Sequence, residues 1–406
     1  MENCIWRPCT QMKTASLPLK IVSAKGAKLY ELEGKTYIDA NSSWWVTLHG
    51  HCHPYILSRI ASQAAQLDQV ILADCIHEPA LQLASQLIRI LPGQMGKIFY
   101  SDNGSTAVEV ALKMALQHNP KKKVVTLKGS YHGDTIGGMS IAGKNLFNKP
   151  FWSYLFETEQ IELTDSYAQL AYLIDKGGIG CFIYEPLLLG VNGMQVYSPE
   201  LLNPLLKLCR EASVITIADE AVTGFGRLGP LFASELLEEK PDIITLAKGL
   251  TGGVLPLGVT ACTDAVYAPF HGDTREQSLF HSHSYCGNPL ACTSALASIE
   301  LLLESSCARQ RQRIHALHCR FVEQYHSHPK LARCETLGTL LVLEFKSGKG
   351  NYFNPLRENL FAFALERGVL FRPLGNVLYV LPPYCISEEE LATIYQTLNE
   401  CLTCIP

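Results

Sequence analysis

The sequence has no long uninterrupted apolar run. Its first residues, MENCIWRPCTQM, lack the hydrophobic core of a secretory leader. No stretch reaches the roughly 20 apolar residues that a membrane-spanning helix needs. Neither a leader nor a membrane partner is expected. Excess charge is missing too: the formal net charge is -4 and 18% of residues are charged, so nothing basic points to nucleic acid. The one notable charge run, Lys121-Lys122-Lys123, precedes the apolar run Val124 to Leu127 and reads as a solvated lead-in to a strand. Metal-ligand spacing is also absent. The 15 cysteines are not grouped in pairs, the single C-x-x-C (Cys401 to Cys404) has no companion, and His281 and His283 have no carboxylate or thiol at useful spacing. No metal is expected. Cysteines such as Cys262 and Cys292 sit in apolar contexts, so small buried hydrophobes in a reducing cytoplasm are the expectation.

What is present is an ordinary globular composition, 47% hydrophobic over 406 residues, long enough for two or three domains at about 150 residues each. A hairpin is expected from Ala27 to Leu32 and Lys35 to Ala40 around Gly34, and a helical pattern from about 54 to 92, ended by Pro92. From about 97 to 262 short β-branched runs alternate with helical patterns, which predicts a mostly parallel sheet covered on both faces, an α/β fold. Ser198-Pro199 reads as a serine cap with proline at the first helical position. Residues 141 to 178 carry little pattern. Beyond about 308 the texture is α+β, and Ser387 with Glu390 makes a capping box for the last helix.

The central stretch runs from Val214 to Gly253. Two apolar runs, Val214 to Ala218 and Ile243 to Leu246, read as buried parallel strands that end near Asp219 and Lys248. Ligands sit at the carboxyl ends of such strands. An amine and a carboxylate placed so suit pyridoxal phosphate (PLP), which needs a lysine for its aldehyde and an acid for its ring nitrogen. A plain strand-end salt bridge between the two is the competing reading. Gly224 to Gly229 matches G-x-G-x-x-G, but five residues separate it from the strand and position 249 is glycine, so a dinucleotide site is not expected; these glycines read as a loop that lets backbone approach the pocket.

Further candidates flank this stretch. Gly104-Ser105, between a strand and a helix, offers free N–H groups and a hydroxyl to a phosphate, with Ser105 as an ordinary N-cap the alternative. Tyr131 lies just beyond a strand end and is a stacking candidate, with His132 beside it. Glu185 is another acid at a strand tip. Trp44 and Trp45 on an extended segment would face opposite ways, so one lines a pocket and one packs. Arg372, fixed beside Pro373, suits a substrate carboxylate.

The run DEAVTGFGR from Asp219 to Arg227, AKGLTGG from Ala247 to Gly253, Ser42 to Gly50, Gly104-Ser105, Tyr131 to Asp134, Arg372-Pro373 and Leu381 to Tyr384 together resemble the class III (ω-type) aminotransferases, from Trp6 to about Tyr384. The resemblance implies a PLP-dependent enzyme of fold type I that transfers an amino group between two small molecules. It implies a large domain over 51–305 and a smaller α+β domain built from both termini, 1–50 and 306–406. It also implies a homodimer with shared sites. By this resemblance Lys248 links to the cofactor and Asp219 pairs with its ring nitrogen. Gly104, Ser105, His283 and Ser284 hold its phosphate region, Ser284 coming from the other subunit. Tyr131 stacks on the ring, and Cys9, Trp44, Tyr131, Ser282 and Arg372 contact substrate. Three positions depart from the branch it resembles best: Cys9 where tyrosine is usual, Ser282-His283-Ser284 where Gly-Pro-Thr is usual, and Ala221 where valine or isoleucine packs opposite Tyr131.

Overall fold

The computed structural model describes residues 4–119, 123–347, 352 and 354–404. Lys121 and Lys122 lie outside the described residues, while Lys123 opens a strand as the charge run suggested. The core of the molecule is a seven-stranded sheet, ordered Met95–Ser101, Gly258–Thr263, Ile243–Leu246, Ile215–Asp219, Ile179–Tyr184, Lys123–Leu127, Thr158–Ile161. Only Gly258–Thr263 runs against its two neighbours; the other adjacent pairs are parallel. The strands Ile179–Tyr184 and Ile243–Leu246 are buried throughout. This is what lets them be apolar without alternation. Helix Gly104–His118 crosses one face, burying Ala107, Ala111, Met114 and Ala115.

The hairpin around Gly34 forms as Lys28–Glu31 and Thr36–Asp39. Ile21–Lys25 adds to one side of it, and Val369–Leu370 pairs in parallel with Thr36–Asp39 on the other. A separate three-stranded sheet holds Leu331–Leu337, Leu340–Phe345 and Val377–Val380. The long helical pattern from 54 to 92 is in fact two helices, Pro54–Ala64 and Glu78–Ile90. Pro79 starts the second, and His77 caps it: its Nδ1 accepts from Ala80 N (3.2 Å), leaving Nε2 to donate to Gly287 O (2.7 Å). The unpatterned region contains strand Thr158–Ile161 and helix Ser166–Asp175. Ser198 precedes helix Pro199–Glu211 without a side-chain capping bond, whereas the Ser387–Glu390 box is formed in both directions.

The cysteines from Cys9 onward are free thiols. Cys181, Cys209, Cys262 and Cys292 are buried as expected, but Cys4, Cys9, Cys52, Cys75 and Cys404 are exposed. Among the described residues no metal-ligand cluster occurs, and no single helix is long and apolar enough to cross a membrane.

Candidate active site

Because six strands of the central sheet run the same way, their carboxyl ends open along one edge. Met95–Ser101 leads there to Gly104 and Ser105, Lys123–Leu127 to Tyr131 and His132, Ile179–Tyr184 to Glu185, and Ile243–Leu246 to Lys248. Asp219 ends the neighbouring strand in register with Thr245, whose hydroxyl donates to Asp219 Oδ1 at 3.0 Å. Asp219 and Lys248 therefore face one site from adjacent strands.

Asp219 is buried, and both of its oxygens are hydrogen-bonded. Its Oδ1 also accepts from Ala221 N (3.1 Å), and its Oδ2 from His132 Nδ1 (2.8 Å). Burial pushes this carboxyl's pKa up, but the His132 hydrogen bond and the charges of His132 and Lys248 outweigh it, so the group sits below the ordinary aspartate range and stays ionised. The acceptor carboxylate assigns the proton to His132 Nδ1. For Lys248, burial is the largest influence and lowers the amine's pKa, opposed by Asp219 and then Glu185. Among the described residues Lys248 makes no ion pair within 4.0 Å, so the plain salt bridge does not form. The amine instead lies 5.5 Å from the Trp45 ring centroid.

The Gly104-Ser105 turn differs from the capping alternative in a useful way. Asn103, not Ser105, caps helix Gly104–His118, its side chain accepting from Thr106 N at 2.9 Å. The Ser105 hydroxyl and the first two helical N–H groups have no hydrogen-bond partner among the described residues, and they stand at the positive end of a 15-residue helix. Gly133, at φ +104°, closes this corner: a Cβ there would sit 2.2 Å from Ser105 Oγ. A Cβ on Gly104 would come within 3.3 Å of Ala247 and 3.6 Å of Ala221, so small residues floor the cleft where the helix meets the strand ends.

The tryptophan pair is not extended. Ser42, Ser43, Trp44 and Trp45 have φ of 49°, 45°, 70° and 75°, a left-handed turn that costs roughly 1–2 kcal/mol per residue. Side chains pin it: Ser42 Oγ donates to Leu381 O (2.7 Å), Ser43 Oγ to Asp39 Oδ2 (2.8 Å) and Trp45 Nε1 to Tyr379 OH (2.9 Å). Buried Arg227 donates to the carbonyls of Trp45 (3.2 Å) and Pro382 (2.8 Å). The turn overturns the expected extended segment, yet the two rings still part. Trp45 is buried beside the Lys248 amine, while Trp44 is 41% exposed with the Arg372 guanidinium 3.6 Å from its ring centroid.

Tyr131 is half-buried; burial, then Asp134, raises its phenol's pKa, and the nearby Cys9 thiol adds to the rise. Cys9 itself is exposed. Ser282 and Ser284 are exposed; His283 Nε2 lies 3.7 Å from Asp102 Oδ1, near the Gly104 turn. In the loop from Gly224 to Gly229, a Cβ on Gly224 would meet Glu220 O and one on Gly226 would meet Arg311, so these two serve turn packing, while Gly229 has open space beside it. Glu185 is the residue whose part the sequence left unassigned: its buried carboxylate accepts from Tyr131 N (2.9 Å) and Gly190 N (3.1 Å).

The family model described as aminotransferase class-III matches residues 10–402. This chain belongs to the class III aminotransferase family. It is 42% identical to the adenosylmethionine-8-amino-7-oxononanoate aminotransferase of Synechococcus elongatus over 98% of both chains. It is 33% identical to the protein of the same name from Helicobacter pylori, covering 98% of this chain and 95% of that one. The crystal structure of the Methanocaldococcus jannaschii protein of that name superposes with a TM-score of 0.93 at 34% identity, covering 98% and 97%. An amine transaminase from an uncultivated Pseudomonas species, solved in its PLP-bound form, gives a TM-score of 0.90 at 25% identity over 99% of both chains. The fold is therefore the PLP-dependent fold type I.

Class III aminotransferases are PLP-dependent, and the residues of this aminotransferase fit that group. An unpartnered hydroxyl and helix N-terminus suit its phosphate, an ionised buried carboxylate suits its ring nitrogen, and a buried amine of lowered pKa that is not tied into an ion pair suits its aldehyde.

Proposed function

We propose that this aminotransferase transfers an amino group from S-adenosylmethionine to the C7 ketone of 8-amino-7-oxononanoate (KAPA), giving 7,8-diaminononanoate, a step of biotin formation, with PLP as cofactor. The names of the relatives from S. elongatus, H. pylori and M. jannaschii support it. The observation that carries it is the Arg372–Trp44 stack, set by the same left-handed turn that buries Trp45 beside the Lys248 amine. A fixed guanidinium on a flat indole suits a long aliphatic substrate that ends in a carboxylate, which KAPA is.

On this reading Gly104 and Ser105 hold the cofactor phosphate, Tyr131 covers the ring and Asp219 keeps its nitrogen protonated. PLP when bound supplies an electron sink for the carbon that loses its proton. Lys248, with its pKa lowered by burial, would take up and return that proton. His132 keeps Asp219 ionised and oriented. Ser284, exposed in its own chain, serves the site of a second subunit in a homodimer; exposed Phe280 and Tyr285 beside it give that contact apolar surface. The domains divide as 1–50 with 306–406 and 51–305, and the free thiols suit the cytoplasm.

The experiment is to supply purified protein and PLP with KAPA and either adenosylmethionine or lysine, and to assay the diamine. Adenosylmethionine alone supporting product is the expected result; no diamine with either donor overturns the acceptor. A lysine donor is the second reading, favoured by Cys9, a thiol where the adenosylmethionine users carry a phenol, and by His283-Ser284. A third, an ω-aminotransferase of the ornithine or γ-amino acid type, leaves Trp44 and Arg372 unexplained.

A further inference from the structure

The lysine-bearing turn is held from behind by groups that have no assigned role. Lys248 itself has φ +48°, a left-handed conformation that costs a β-carbon-bearing residue about 1–3 kcal/mol and persists only where the surroundings enforce it. The turn Lys248–Thr251 contributes little of its own, with Leu250 N donating to Ala247 O (3.0 Å) and Gly252 N to Gly249 O (2.9 Å). The rest comes from helix Pro289–Leu303. Ser298 Oγ donates to Gly249 O (3.3 Å) and Ser294 Oγ, one helical turn earlier, to Thr251 O (2.9 Å). Behind Ser298 stands His49, whose Nε2 lies 3.2 Å from Ser298 Oγ.

Several features separate this from ordinary core satisfaction. A buried hydroxyl in a helix is normally satisfied by the carbonyl four residues back, and Thr293 of the same helix does that with Pro289 O at 2.8 Å. Ser294 and Ser298 reach across to the turn instead. Since the Ser298 proton points to Gly249 O, its oxygen accepts from His49, which fixes the proton on His49 Nε2 and makes the chain directional: imidazole N–H to hydroxyl to carbonyl. His49 is kept neutral for this, its pKa pushed down to about 3, first by burial and then by the His53 and Arg227 charges. Packing leaves the turn no room to relax. A Cβ on Gly249 would lie 3.0 Å from Leu48, and one on Gly252 would lie 3.0 Å from Ile56, 3.3 Å from Ser298 Oγ and 3.5 Å from His49.

We propose that His49 and Ser298 form a positioning latch for Lys248, fixing the peptide that follows the lysine so that its amine keeps one place and direction through the reaction. The latch rests on the reading of Lys248 as the lysine that bonds the cofactor. His49 and Ser298 act through the backbone and are positioning residues.

The test uses full-length protein loaded with PLP and two substitutions that spare packing: His49→Phe, which keeps an aromatic ring but removes the N–H, and His49→Gln, whose amide N–H replaces it. Ser298→Ala removes the hydroxyl itself. The readouts are the pH titration of the visible absorbance of the PLP-bound protein and the separate values of kcat and KM. Expected for His49→Phe and Ser298→Ala are a shift of the titration midpoint by about one pH unit or more and a fall in kcat of about 10- to 100-fold with KM little changed. His49→Gln should stay near wild type, and the His49→Phe/Ser298→Ala pair should be no worse than the weaker single variant. A His49→Phe protein with unaltered midpoint and kcat overturns the latch, as does loss in His49→Gln equal to that in His49→Phe. Failure of the underlying reading looks different: wild-type protein would develop no visible absorbance with PLP, or Lys248→Ala would develop it unchanged.

Discussion

The Arg372 guanidinium lies 3.6 Å from the centroid of the Trp44 ring, and the left-handed turn at Ser42 to Trp45 is what puts the indole there. The backbone N–H of Arg372 donates to Asn41 Oδ1 at 2.6 Å, tying the arginine to the residue that opens the same turn. Platform and cation are therefore set by one short segment. Arg372→Ala should raise KM for the carboxylate-bearing acceptor about 10- to 100-fold, the worth of a charge-assisted hydrogen bond. Arg372→Lys should recover only part, since an ammonium neither forks nor stacks as a guanidinium does. Stopped-flow measurement of the two half-reactions separately checks this: the acceptor half should carry most of the loss, and an equal loss in both would remove Arg372 from acceptor binding.

Asp219 and His132 share a 2.8 Å hydrogen bond inside the core. Asp219→Asn keeps the shape but removes the charge that favours a protonated ring nitrogen and that raises the Lys248 pKa. The expected loss in kcat is about 10²- to 10⁴-fold, typical of removing a positioned acid–base or electrostatic group. PLP should still bind, because the groups at Gly104 and Ser105 are untouched. Absorbance titration with PLP checks the binding and steady-state rates check the loss; a variant with wild-type kcat would leave the carboxylate without a catalytic part.

The strand ends were readable in the chain because burial on both faces writes a continuous apolar run, and the residue after such a run falls at the sheet edge. This is how Asp219, Lys248, Tyr131 and Gly104-Ser105 could be placed together before any coordinates. The Trp44 conformation was not readable: four successive left-handed residues violate local preference and exist only because Leu381, Asp39, Tyr379 and Arg227 hold them from afar. Arg227 itself was hidden inside a glycine pattern that invited a cofactor explanation, while its partners are backbone carbonyls, which leave no trace in side-chain sequence. The strand at Thr158–Ile161 was missed because it is a short edge strand with only one buried position, and so has no apolar run.

Arg227 gives a stability prediction. It is buried and answers the carbonyls of Trp45, Thr47 and Pro382, with its guanidinium 5.1 Å from the Tyr384 ring centroid. Arg227→Leu strips three carbonyls of their donor and releases the left-handed turn. The cost should be roughly 3 kcal/mol or more, since each orphaned buried group costs about 1–3 kcal/mol. Denaturant unfolding measures it; a change under about 0.5 kcal/mol would show that the turn holds without the arginine.

Glu185 makes stability depend on pH in a way that can be isolated. Burial is the main cause that raises its carboxyl to about 7 from the ordinary 4.5, with Asp219 adding and His132 and the Tyr131 and Gly190 N–H groups opposing. A raised folded-state value means that the native protein binds more protons than the unfolded chain between those two limits, so this residue's contribution is fully present below pH 4.5 and is lost as pH rises through 7. The full loss is on the order of 3 kcal/mol. Glu185→Gln cannot ionise and is spared it, although its amide can satisfy only one of the two N–H donors and carries a constant penalty. The unfolding free energy of Glu185→Gln minus that of wild type should therefore climb steadily from pH 4.5 to 7, whatever its starting sign, while the contributions of His49 and His318, whose values are pushed down by burial, cancel in the difference. A flat difference across that range would mean that Glu185 is already ionised at its low end, held so by His132 and its two backbone donors.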